Sequence, residues 1–220
     1  MTLKLETICQ IEGLLHESQF RNRLLKDLLG QGLQEFIGQI LTELGMSAKD
    51  GPKVLGRVHS SAVLEGQVWV SENAEVGPHA YVIGPCFIGP GSEVRHAAFV
   101  RGDVYIGKKC VVGHTTEVKG SLFLDGAKAG HFAYVGDSIL GPDVNLGAGT
   151  KLANLKLKGD EVRWRDPVTS KAVSSGLRKL GAILGNGAQT GCNSVLSPGT
   201  ILMPHTSVLP CVHFHGTLNK

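Results

Sequence analysis

Two pairs of reactive side chains in this sequence recur at one interval: Arg101 and Lys119, and His96 and His114, are each 18 residues apart. If that interval is one full turn of a repeating structure, each pair leaves the same edge on adjacent layers. A stacked arginine and lysine would clamp one phosphate, because both offer N–H donors and positive charge to its oxygens. Without such a ligand they are two solvated surface cations. Stacked imidazoles would supply two ligands of a zinc site, with His131 as a third across a subunit boundary; otherwise they are edge histidines without metal. His131 lies in Ala129-Gly-His-Phe-Ala-Tyr-Val-Gly-Asp137, where the repeat lapses. Histidine is the side-chain type best suited to moving a proton near neutral pH.

The interval has a cause. Every sixth residue from Val58 is aliphatic: Val58, Leu64, Val70, Val76, Val82, Ile88, Val94, Val100, Ile106, Val112 and Val118. Four residues after each comes a small or modest side chain, such as Ala62, Ala74, Ala80, Cys86, Ala98 or Cys110. Such a hexapeptide period predicts an all-β fold, a parallel β-helix. Each hexad gives one short strand and a turn, three hexads close a triangular coil, and coils stack about 4.8 Å apart. Gly and Asn tolerate the positive φ of the corners. Proteins built on this repeat are left-handed, against the usual crossover rule. The register weakens between Lys119 and Ile139, resumes at Leu140, Leu146 and Leu152, breaks over 153–182, and returns at Leu184, Thr190, Leu196, Leu202 and Val208.

Composition agrees. The chain holds 30 Gly in 220 residues, yet is 42% hydrophobic and only 5% aromatic. Low hydrophobicity, the mark of disorder, is absent, and Gly does not recur every third residue as in collagen. The prism is narrow, so few rings are expected. A net charge of +3 without a basic run points away from nucleic acid. No apolar run is long enough to cross a membrane and no secretion signal is evident. The five cysteines, Cys9, Cys86, Cys110, Cys192 and Cys211, form no CxxC pair and read as reduced thiols of a cytoplasmic protein. Cys86 and Cys110 fall in interior slots.

The organisation divides near residue 50. Residues 1–50 form a helical N-terminal segment, an α-helical cap or an oligomerisation module. Leu33, Phe36, Ile37, Ile40, Leu41 and Leu44 share one helix face and Gly45 is placed to stop it. Leu24, Leu25, Leu28 and Leu29 suggest another helix, and Leu5, Ile8, Ile11 and Leu15 a third apolar series. The β-helix spans 54–212, with a loop or β-hairpin leaving it near 155–180, the kind of excursion that carries function on a solenoid. Residues 213–220 read as a tail.

The stretch Thr116–Thr150 combines a Lys, then GH…YVGD, then VNLGAGT. It resembles the acetyltransferase domain of the bifunctional glucosamine-1-phosphate N-acetyltransferase/uridylyltransferases. Ser174-Ser-Gly-Leu-Arg-Lys-Leu-Gly-Ala-Ile-Leu-Gly185 is similar to archaeal-type members. The resemblance covers about 60–210. It implies a homotrimer with active sites between neighbouring prisms, acetyl-CoA as co-substrate, and no metal. By position it puts the phosphate pair on Arg101 and Lys119, the catalytic base on His131, sugar contacts on Tyr134, Asn145 and Lys179, and acetyl-CoA contacts near Ala148, Asn154 and Cys192. The expected activity is N-acetylation of a hexosamine 1-phosphate, glucosamine first, feeding nucleotide-sugar synthesis.

The chain also departs from that pattern. Leu155 follows Asn154 where the family has an aromatic, and an arginine for the CoA phosphate has no counterpart in Cys211–Lys220. No nucleotidyltransferase domain fits the N-terminal segment, so a separate nucleotidyltransferase would be a partner. Two rival readings remain. Val100-Arg-Gly-Asp103 looks like a short motif of the γ-class carbonic anhydrases, with zinc on His96, His114 and His131. The other rival is a non-catalytic β-helix subunit.

Overall fold

The structure, a computed structural model, describes residues 5–10, 15–16, 32–47 and 49–219. Short strands alternate with tight corners along a triangular prism of three parallel sheets with nine, eight and eight strands. The chain visits the first, second and third sheet in turn, so strands stack on their counterparts one coil away. Lys119 pairs with Arg101, Val118 with Val100 and Glu117 with Phe99. Side chains alternate: Val100 and Val118 point into the prism, and their neighbours point out.

The interior is a continuous column of Val, Ile, Leu and small residues, with Cys86 and Cys110 among them. Burial pushes the Cys110 thiol, like that of Cys9, up to about 12, so these groups stay protonated and inert.

The apparent lapse after Lys119 is no break. Phe123, Ala129 and Val135 fill the prism between Val118 and Leu140. Tyr105 pairs with Leu122 and Leu122 with Ile139, so these coils are one residue shorter than the rest. Both missing residues come from the edge between the third and first sheets, at Gly120-Ser121 and Asp137-Ser138. Serine hydroxyls complete the ladder there. Ser121 Oγ accepts from the Ser138 amide at 3.0 Å, and Ser138 Oγ accepts from the Ala182 amide at 3.0 Å. The prism does take large rings, the fully buried Phe123 and, at its C-terminal end, the partly buried Phe214, and the small Ala127, Ala129 and Ala133 are buried in the same column.

Most buried rings lie elsewhere. Trp69, Phe87, Tyr105, Leu122, Ile139, Ile183 and Ile201 stand in register on the outer face of the first sheet. Helix α1 (Leu5–Ile8) and helix α2 (Leu33–Glu43) cover this row. Leu33, Phe36, Ile37, Ile40 and Leu41 of α2 are buried against it, and Gly45 ends the helix at φ 81°. Each such apolar side chain contributes about 1.5–3 kcal/mol on full burial. The two described helices therefore pack along a flank of the prism, as expected of a helical cap packed on the main domain. The proposed helix over Leu24–Leu29 and the position Ile11 lie outside the described residues.

The excursion leaves at the third edge and carries an antiparallel hairpin, Arg163–Arg165 with Ala172–Ser174. Its Val162 and Trp164 join the first sheet's outer cluster. Residues after 212 are not a tail. His213–Phe214 and Thr217–Leu218 pair into the third and first sheets and extend the prism by most of a coil.

Cys192 and Cys211 are exposed while Cys9, Cys86 and Cys110 are buried. A thiol reagent such as DTNB should titrate two cysteines in the native protein and all five only in denaturant. A third fast thiol would contradict this packing.

Candidate functional site

One corner, the outer faces of two sheets and the base of the excursion hold the polar residues singled out above. At the edge between the second and third sheets, His96, His114 and His131 form a single column. The rings of His96 and His114 stack at 5.1 Å between centroids and 11° between planes. His114 and His131 are 5.2 Å apart and nearly perpendicular at 73°. Nδ1 of His131 meets Nδ1 of His114 at 3.4 Å, so one of them donates and the other accepts. That contact leaves Nε2 of the exposed His131 to face solvent. Because the coil is one residue short, His131 stacks on His114 of its own prism, and the expected role as a third ligand from another subunit has no support here. Parallel stacked rings aim their nitrogens side by side, not at one point. Among the described residues no three His, Cys, Asp or Glu groups converge as a metal site.

Ala148 and Cys192 continue this column on the next two rungs, Cys192 exposed and Ala148 half-buried. The ladder that aligns them runs through the Gly149 amide to the His131 carbonyl, 3.1 Å, and the Asn193 amide to the Ala148 carbonyl, 2.7 Å. Gly113 stands under Gly130, so close that a Cβ on Gly113 would strike the Gly130 backbone. A Cβ on Gly130 itself would meet nothing within 4 Å.

Three residues beyond His131 the chain enters the third sheet. Its outer face presents Arg101, Glu117, Lys119 and Tyr134 on neighbouring strands. The structure brings Arg101 and Lys119 together on adjacent rungs, yet neither cation is free. Arg101 donates from Nε at 3.0 Å and Nη2 at 2.6 Å to one oxygen of Glu117. Lys119 Nζ donates to both oxygens of Asp137 at 2.9 and 3.3 Å. The first pair is about one-third exposed, whereas the Lys119 and Asp137 side chains are 16% and 4% exposed.

Asp137 gathers further donors. Gln34 of α2 donates to its Oδ1 at 2.9 Å, and Asn154 donates to its Oδ2. Tyr134 Oη donates to Asn154 Oδ1 at 3.3 Å. Burial, reinforced by Glu117 and Asp137, raises the Tyr134 phenol above its ordinary range, so it stays a donor. Asn154 is fixed at the root of the excursion, where its carbonyl accepts from the Leu180 amide at 3.0 Å.

Two residues stand apart. Asn145 is exposed on the outer face of the second sheet, in the row Lys128, Asn145, Gln189. Lys179 is exposed at the base of the excursion, bridged to Leu155. Sequence reasoning missed Glu117, Asp137 and Gln34. A signal existed for Glu117: it lies two residues before Lys119, on the same face of a strand.

Fold and repeat define the class, a parallel β-helix of hexapeptide repeats. The model of the GMPPB C-terminal domain matches residues 82–213, and the chain belongs to that family. The resemblance read from the sequence is also met. The bifunctional sugar-1-phosphate nucleotidylyltransferase/acetyltransferase of Sulfurisphaera tokodaii is 38% identical over 156 residues, 71% of this chain and 38% of that protein. The bifunctional protein GlmU of Methanococcus aeolicus is 33% identical over 146 residues, 66% of this chain and 35% of that one. The chain thus spans well under half the length of these relatives. Among solved structures, PerB from Caulobacter crescentus, in complex with CoA and GDP-perosamine, is similar over 84% of this chain and 70% of its own. It has 14% identity and a TM-score of 0.33, too distant to bear on function.

The two ion pairs should differ in a stability test. Lys119→Met leaves the buried Asp137 carboxylate without its cation and should cost about 3–5 kcal/mol. Arg101→Ala breaks a half-exposed pair and should cost about 0–1 kcal/mol. Urea unfolding of both variants checks this; equal losses would refute the assignment of Lys119 as an internal strut.

Proposed function

We propose that this chain is an acetyl-CoA-dependent N-acetyltransferase acting on a hexosamine 1-phosphate. The observation that carries the reading is His131. It is exposed, held at Nδ1 by His114, and placed at the head of a sheet face bearing Arg101 and Tyr134. Family membership and likeness to the sugar-1-phosphate nucleotidylyltransferase/acetyltransferase of Sulfurisphaera tokodaii support it.

The reaction needs an amine as nucleophile, and an ammonium has no free electron pair. His131 Nε2 takes the amine proton as nitrogen attacks the thioester carbonyl carbon. The C–N bond forms, the carbonyl becomes an oxyanion stabilised by a backbone N–H or an Asn amide, and collapse breaks the C–S bond. The thiolate of CoA leaves and takes a proton. Cys192 forms no acyl intermediate in this scheme. Arg101 binds the sugar phosphate by exchanging Glu117 for it, which a half-exposed pair permits. Lys119 keeps Asp137 and adds its charge from behind. Tyr134 orients the sugar, joined by Asn145 from a neighbouring prism in a homotrimer. Asn154 and the Ala148–Cys192 side of the histidine column receive acetyl-CoA. Glucosamine 1-phosphate is the first acceptor to test, and a separate nucleotidyltransferase would consume the product.

His131→Ala should lower kcat for acetyl transfer to glucosamine 1-phosphate by about 10²–10⁴-fold, the scale of general base catalysis, with the circular dichroism spectrum unchanged. Full activity in that variant would overturn the reading. Gly130→Ala offers a finer check. The added methyl has open space in the free protein. It should leave the Tm within about 1 °C, because exposed substitutions away from packed features change stability little. Acetyl transfer should nevertheless fall, since the methyl narrows the approach to His131. Unchanged kinetics would show that no ligand passes this backbone.

A further inference from the structure

Below the rung of Tyr134 and Lys151, the outer face of the third sheet runs under the excursion hairpin and becomes the floor of a groove of about 710 Å³. Val195 lies one strand beyond Lys151, which is itself one strand beyond Tyr134. Two rungs at about 4.8 Å put the groove floor some 10 Å from the rung of Tyr134, on the same strip of surface.

The lining has two chemistries. Leu155, Leu157, Val195 and Pro198 give apolar area, and Leu155 and Leu157 are exposed hydrophobics. Lys156, Lys158, Arg163 and Arg165 bring four cations against the single carboxylate of Asp160. Lys156 Nζ donates to the Glu161 carbonyl and Arg165 Nη1 to the Ser170 carbonyl, contacts that orient the groups without cancelling their charge. Among the described residues none of the four forms a salt bridge, unlike Arg101 and Lys119. Glu161 lies within electrostatic reach of Lys156 and Arg163, but four cations against two carboxylates leave the groove net positive, and beside exposed leucines that suits a ligand that is anionic at several phosphates and carries an apolar ring.

We propose that this groove seats the phosphorylated nucleotide end of the acyl donor, the adenosine 3′,5′-bisphosphate portion, with Lys156, Lys158 and Arg163 binding its phosphates. The proposal rests on the acetyl-transfer reading for the donor's identity. The excursion is then part of the donor site: it supplies the positive charge that the prism face lacks, and the donor's flexible arm runs up the strip to His131.

Calorimetric titration of the full chain with adenosine 3′,5′-bisphosphate tests the seat without any turnover. The Lys156→Ala/Lys158→Ala/Arg163→Ala variant should bind it about tenfold or more weakly, the loss expected for charge-assisted contacts. Lys158→Glu alone, at an exposed position, should weaken it in the same direction. In the acetyl-transfer assay the triple variant should raise KM for acetyl-CoA by a similar factor, leaving kcat and the acceptor KM within about twofold. Bisphosphate binding that is lost in both variants, in a protein without acetyl transfer, would uphold the groove as a nucleotide seat and remove its link to acetyl-CoA. Equal bisphosphate affinity in wild type and both variants, or no binding to the wild type, would overturn the proposal while leaving the role of His131 intact.

Discussion

Everything in this protein depends on filling a narrow prism. Each rung receives an apolar side chain from each of three sheets, with a small residue beside it, and this arrangement buries Val68 through Val208 in one column. Once that is met, residues about one coil apart become neighbours about 4.8 Å apart. The histidine column and the Arg101–Lys119 pairing are by-products of interior packing. The fold places chemistry on its surface by sequence interval alone, which is why single-residue shortening matters. The one-residue shortening at Gly120 brings His131 onto His114, and the shortened edge at Asp137 carries the carboxylate that meets Lys119.

A second constraint operates outside the prism. A parallel sheet is normally covered on both faces, and here only the first sheet meets that norm. Its outer row from Trp69 to Ile201 is apolar and lies under α1, α2 and the hairpin, while the other two sheets present mixed outer rows, such as Lys128, Asn145 and Gln189 on the second and Phe99, Glu117, Tyr134 and Val195 on the third. Coverage of the first sheet also reaches the polar cluster. Gln34 in the first turn of α2 donates to Asp137, so the helix that hides apolar surface also holds the carboxylate that positions Lys119 and Asn154. Helix docking and site geometry are coupled through that one carboxylate.

The period, the inward positions and the coil-to-coil stacking of Arg101 on Lys119 and of His96 on His114 were legible in the sequence, because a six-residue repeat is a direct image of strand-plus-corner geometry. The continuity of the prism through 119–139 was not. A deletion of one residue shifts all later positions, and Phe123 violates the expectation of a narrow interior. Nor was the outer row legible as a row. Trp69, Phe87 and Tyr105 recur at 18 residues, but Leu122 and Ile139 follow at the shortened step. The partners of the cations were hidden for another reason. Glu117 and Asp137 act through side-chain reach, which spacing does not encode. A cation read as free from its position turned out to be half of an ion pair.

That difference bears on what the third-sheet face can bind. Arg101 with Glu117, and Lys119 with Asp137, make a cluster with no net charge, so it cannot draw a phosphate by field alone. A ligand must replace an anion already present, and the two pairs differ in how readily that happens. Glu117 is exposed enough to return to water when displaced, and its hydration offsets the loss of Arg101. Asp137 is buried with three donors, and expelling it would strand a carboxylate. Exchange is therefore possible at Arg101 and blocked at Lys119. A phosphate accepted on this face would sit against the arginine, on the side nearer Glu117 and Tyr134, and the neutral resting cluster would discriminate against anions that cannot reproduce the geometry of the Glu117 carboxylate. Selectivity would then come from the displaced group as much as from the cation that binds.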